Sequence, residues 1–99
     1  MEDDSMDKKR RKAIREMSGR VDWAARVAEE MAKDLKPLIA AEEKALEGYQ
    51  NSRYPNGEKM EEAEFASTNL SGARKALRQA QKLLADAHAK MEEAARQGE

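Results

Sequence analysis

The chain has no cysteine, only two prolines, and just four aromatic residues among 99. Without cysteine there is neither a disulfide framework nor a thiolate zinc site. So few aromatics offer no platform on which single-stranded bases can stack. The longest purely apolar run is Leu38 to Ala41, four residues, and a bilayer-spanning helix needs about 20. The opening Met1-Glu2-Asp3-Asp4 is acidic and lacks an apolar stretch, so no secretory signal is expected. An excess of one charge is missing as well: 19 basic and 20 acidic residues leave a net charge of −1. No global field therefore draws the protein to nucleic acid or to lipid. These absences leave a helical chain with no membrane association and an expected cytoplasmic location.

Enzyme signatures are missing too. There is no Gly-rich phosphate loop, no nucleophile elbow and no His–Cys or Ser–His–Asp set. The expectation is a non-enzymatic protein with no cofactor and no small-molecule substrate. His88 is the single histidine. It is expected on the surface, facing Asp22, with Glu92 one turn on. Residue 85 is alanine, so no Glu-x-x-His unit forms and no metal is expected.

Alanine dominates instead, with 18 residues. It is the strongest helix former, and Leu, Glu, Lys, Arg, Gln and Met reinforce it. Large apolar residues are few: Leu, Ile, Val and Phe total 12. So thin a core leaves little stability to an isolated small chain. Self-association, with a homodimer favoured, or a protein partner is therefore expected.

The stretch Asn51 to Gly57 reads as the one clear turn, with Pro55 and Asn56-Gly57 at its centre. After it, Ala63, Ala66, Leu70, Ala73, Leu77, Ala80, Leu84, Ala87, Met91 and Ala94 step by three and four without a break, as a coiled-coil seam does. Before it, Ile14, Met17, Val21, Ala24, Ala28, Met31, Leu35, Leu38, Glu42, Ala45 and Tyr49 repeat the period. Folding the chain near residue 55 sets position i against roughly 110 − i. The predicted fold is thus all-α: a long antiparallel helical hairpin with an alanine-rich seam. It is read as one domain, with a charged extension at 1–20, a first arm at 21–53, a turn at 54–57 and a second arm at 58–98. Pro37 is expected to kink the first arm beside Ser71-Gly72. The competing expectation breaks both arms there into a compact bundle.

Two candidate surfaces follow. Val27, Ile39, Leu46, Phe65 and Leu83 fall off the predicted seam and form a second apolar strip; with Tyr54 in the turn they make a candidate protein interface. Trp23 is expected in the core beside Ala87. Glu42 is expected to find a polar partner in Thr68 or Asn69. Lys8, Lys9, Arg10, Arg11, Lys12, Arg15 and Arg20 form a basic run that can bind phosphates. Glu2, Asp3, Asp4 and Asp7 precede it, and Glu92, Glu93 and Glu99 are expected to face it. In the same register Glu29, Glu30 and Asp34 are expected near Arg74, Arg78 and Lys82.

Three functions are therefore in play. The first is a helical interaction protein, acting as adaptor, assembly factor or inhibitor. The second is a nucleic-acid binder using residues 8–20. The length, hairpin and central turn also resemble small secreted helical-hairpin proteins that carry a Trp-x-Gly turn. That resemblance implies the third, a secreted hairpin. Here the turn reads Tyr54-Pro55-Asn56-Gly57, without the Trp and one residue longer.

Overall fold

The computed structural model describes residues 2–97, with side chains from Asp7 onward. Two helices account for nearly all of it: α1, Glu2–Gln50, and α2, Gly57–Arg96. No strand occurs among the described residues. They pack as an antiparallel hairpin, and the broken bundle is not formed. α1 runs through Gly19 and Pro37 without interruption, and α2 through Gly72. Strong helix formers on both sides of each breaker, Lys, Arg, Glu and Met before Gly19 and alanine and leucine around Pro37 and Gly72, carry the helix across it. The basic stretch is helical, as expected, and runs on into the first arm within α1.

The turn is longer than expected at its start. α1 ends at Gln50, three residues before the predicted boundary, and α2 opens at Gly57. The exit is closed by the Asn51 amide donating to the Glu47 carbonyl at 3.0 Å. At the entry to α2, Asn56 Oδ1 accepts from the Lys59 amide at 3.1 Å. This is an N-cap, occupying one of the amide donors that a helix start leaves open. Residue 98 of the predicted second arm lies outside the described residues.

The contacts divide the chain into two compact units. One is Met1–Ala28 with Gln79–Glu99, and the other is Glu29–Arg78. In the first, His88 bonds to Ser18. In the second, Arg74 bonds to the Ala32 carbonyl. Both pairs put position i level with 106 − i rather than 110 − i, a shift of about one helical turn.

One half of each predicted seam is also displaced by one residue. In α1 the row Ile14, Val21, Ala28, Leu35, Glu42 and Tyr49 faces α2 as expected. The second row does not. Ser18, Ala25 and Ala32 are buried and Ile39 and Leu46 half-buried, whereas Met17, Met31 and Leu38 are exposed. In α2 the row Ala63, Leu70, Leu77, Leu84 and Met91 holds. The alanine ladder is only partly covered, with Ala66, Ala80 and Ala87 half-buried and Ala73 and Ala94 exposed. Met60, Ser67, Arg74, Gln81, His88 and Ala95 take its place, buried or half-buried.

The reason is steric. Both rows lie within reach of the fixed one, three or four residues away, so the period alone does not choose between them. Ser18, Ala25 and Ala32 let the backbones approach more closely than Met17 and Met31 would. Long side chains from α2 then fill the space beside small ones on α1. His88 meets Ser18 and Arg74 meets Ala32, and the same register sets Gln81 at Ala25. Ile39 and Leu46 are thus seam residues, not members of an outer strip.

Gly72 is exposed mid-helix, and a Cβ built there meets nothing within 4 Å. Gly72→Ala should raise stability by about 1 kcal/mol through helix propensity alone; thermal and urea melts followed by circular dichroism measure it. Asn56→Ala should lower stability by about 1 kcal/mol by removing the cap, read in the same melts.

Candidate interaction surface

The seam buries only small side chains. The buried hydrophobic residues are Ala25, Ala28, Ala32, Ala63 and Ala95, and Ser18 is the buried polar one. The large apolar side chains remain partly or wholly outside.

In the first unit, Met17 and Ala24 flank the seam on α1, and Ala80, Ala87 and Ala94 flank it on α2. These rows lie on one face. Met17, Val21, Trp23 and Ala24 line an open groove with Leu84, of about 560 Å³. Met17 also lines an adjoining, almost wholly apolar groove with Ile14, Met91 and Ala94, of about 420 Å³. Trp23 is 69% exposed at the edge of the first groove, rather than in the core. The shifted register explains this, because Trp23 points away from α2 when Ser18 and Ala25 point toward it.

The second unit repeats the arrangement. Met31, Leu38 and Ala45 flank the α1 side, with Ala66 and Ala73 on α2. Ala45 and Ala66 share a shallow groove with Glu42, Tyr49, Lys59 and Glu62. Leu38 is 54% exposed and Met31 43%. Glu42 borders this groove, and the expected pairing with Asn69 is replaced: the Asn69 side-chain amide donates to the Phe65 carbonyl at 2.9 Å. On the opposite flank of the seam α1 carries Arg15, Asp22, Glu29, Lys36 and Glu43. Within each unit the α1 row on the groove side is therefore apolar and the opposite α1 row charged, while Glu16, Arg20, Glu42, Lys59, Glu62 and Lys90 edge the grooves.

The predicted interface residues are scattered. Tyr54, Phe65 and Leu83 are exposed, Val27 is half-buried, and Ile39 and Leu46 are in the seam. The Arg53 guanidinium sits 5.9 Å from the centre of the Tyr54 ring, within cation–π range. Met17, Met31 and Leu38, which the periodicity assigns to the core, are exposed beside the seam. Their signal was present in the sequence: two apolar rows lay beside one fixed row, and only one could face inward.

Of the basic run, Lys8, Lys9, Arg10, Lys12, Arg15 and Arg20 are exposed and Arg11 is half-buried. Arg10 pairs with Asp7. Glu92 and Glu93 are engaged elsewhere, with Ser18 and Arg96, and Glu99 lies outside the described residues. The expected cross-helix pairing of the first arm's acids with Arg74 is replaced too. Glu29 pairs with Lys33 at 3.6 Å, and Arg74 donates to the Ala32 carbonyl. Asp22, expected at His88, pairs with Arg26 at 3.1 Å.

His88 does not meet Asp22. Its Nδ1 lies 2.8 Å from Ser18 Oγ and 3.0 Å from the Ser18 carbonyl oxygen. The Ser18 hydroxyl donates to Glu92 Oε1 at 2.6 Å. Because that proton is spent on Glu92, and a carbonyl only accepts, the network assigns the His88 proton to Nδ1. These residue types resemble a catalytic triad, but the roles are reversed. A nucleophilic serine gives its proton to histidine, and the carboxylate holds the histidine. Here histidine donates to serine, serine donates to the carboxylate, and the hydroxyl is fully buried. The cluster is an interhelical clamp. Among the described residues no group of three or more His, Asp or Glu side chains is placed to hold a metal ion, and no helix is long and apolar enough to cross a membrane.

Comparison with protein-family models, with curated proteins and with solved structures returned no match. The functional argument therefore rests on this chain's own chemistry.

Ser18→Leu should force the helices apart, because Ser18 is fully buried between them. The expected loss is about 1–3 kcal/mol from overpacking, and more if Glu92 and His88 lose their partner without gaining water. Ser18→Ala should cost about 1 kcal/mol. Urea denaturation of the two variants beside wild type checks the order.

Proposed function

We propose that the protein is a non-enzymatic helical interaction module that works by laying the apolar flank of its hairpin against another helical surface. One observation carries this reading. The hairpin buries only alanines as hydrophobic residues, while Met17, Met31 and Leu38 stand exposed on one flank. Fully burying such side chains contributes about 1.5–3 kcal/mol each. A chain with so small a core of its own gains much of its stability from covering that flank. A charged opposite flank suits solvent and leaves one direction for association.

A second reading has narrower support. Lys8, Lys9, Lys12 and Arg20 are exposed on the first turns of α1, as a phosphate-binding arm requires. Its affinity for random duplex would fall steeply with salt, which a mobility shift at rising salt measures; no shift at about 50 mM salt removes it.

The main reading is tested by Leu38→Glu. A charge placed on a covered apolar flank should reduce association at least tenfold and lower the thermal midpoint. The same charge at a fully solvated site changes little. Light scattering and concentration-dependent melts read both effects, with Lys33→Glu as a control off the flank. A wild-type monomer with a concentration-independent melt that Leu38→Glu leaves unchanged overturns the reading.

A further inference from the structure

Resting on the interaction reading above, we infer that the occupant of the first unit's grooves is a second copy of this chain. Its own first unit packs face to face about a two-fold axis that runs along the helices.

Such an axis puts the second copy's α2 beside this copy's α1, antiparallel, and leaves no freedom to slide. Both copies stand at one height, so the register between them repeats the register within each. Ser18 is level with His88 in one chain. Position i therefore comes level with 106 − i of the other copy as well.

The groove edges fit that forced register. Glu16, Arg20 and Trp23 edge the first groove on α1, spaced four and then three residues apart. Lys90 edges the adjoining groove on α2, and Asp86 and Leu83 continue its edge at the same steps of four and three. Glu16 comes level with the other copy's Lys90, Arg20 with its Asp86 and Trp23 with its Leu83. These are two opposite-charge pairs and one apolar pair, and an isologous interface makes each of them twice. Trp23 is 69% exposed and Leu83 72% in the single chain, and here each covers the other. Asp86 and Lys90 already pair within α2 at 3.1 Å, so Glu16 and Arg20 of the other copy complete a four-charge cluster. Inside the edges, Met17 comes beside the other copy's Ala87 and Ala24 beside its Leu83, large against small.

Shape alone also permits a two-fold axis across the helices. It lays α1 on α1 and α2 on α2, with Met17 on the other copy's Ala24 and Leu84 on its Ala87. That axis passes Arg20 and Asp86, so each meets its own counterpart, like charge on like. Charge therefore selects the axis along the helices. Pairs of this kind fix orientation more than they add affinity.

The chain has no cysteine, so introduced thiols report alone. The test oxidises mixtures of full-length single variants, stripped of nucleic acid and exchanged under reduction. A disulfide needs Cα atoms within about 7 Å. Ala24→Cys mixed with Leu83→Cys should give a 24–83 disulfide in more than a quarter of the chains, read by peptide mass spectrometry. Each variant alone should give less than a tenth. Ala24→Cys mixed with Ala89→Cys should also give less than a tenth, because exposed Ala89 lies on the other side of His88 from Ala87. The circular dichroism of every variant should match wild type. Equal cross-linking of Ala24→Cys to residues 83 and 89 overturns the inference. So does a 17–24 disulfide from Met17→Cys with Ala24→Cys in place of the 24–83 one, which is the axis across the helices. Either result still records association and leaves the interaction reading standing. A wild-type mass of one chain at about 100 μM, where a micromolar dimer is almost wholly associated, overturns the inference and leaves the grooves to a different chain. The Leu38→Glu measurement then decides the interaction reading separately.

Discussion

Everything in this hairpin follows from how closely α1 approaches α2 at Ser18, Ala25 and Ala32. Small side chains on one helix bring the backbones near enough for His88 and Arg74 to reach across to main-chain carbonyls. That approach leaves no room for methionine in the seam. Met17 and Met31 are turned out for the same reason that Ser18 is turned in. The exposed apolar flank is thus a consequence of the tight seam and not a separate feature.

The polar groups in the seam gain from this geometry. A buried hydroxyl without a partner is costly, but Ser18 is satisfied on both sides, by Glu92 and by His88. Arg74 reaches the Ala32 carbonyl while keeping part of its length in solvent. No buried side-chain nitrogen or oxygen among the described residues is left unpaired. Such contacts specify register, because sliding one helix by a turn strands each of them. They supply little hydrophobic stabilisation.

Long charged helices of this kind carry many local ion pairs, such as Lys90 with Asp86 and Lys33 with Glu29. Each is exposed and one turn apart, so each contributes only tenths of a kcal/mol. They support the helices one by one. They do not choose how the helices pack. That choice is made by side-chain size in the seam.

The two helices, their antiparallel pairing and the turn between them were legible in the sequence, because helix propensity, three-four spacing and an Asn-capped turn act locally. One row of each seam was legible as well: Val21 and Leu35 on α1, Leu70 and Leu84 on α2. The other row was not. Met17 and Ser18, or Ala87 and His88, are adjacent positions about 100° apart on a helix. Both satisfy the period, and hydrophobicity favours the wrong member of each pair. Only packing two whole helices together reveals that a serine and two alanines allow an approach that methionines forbid. The sequence by itself determined what forms; tertiary packing decided which face is inside, because volume is a property of the pair and not of either helix.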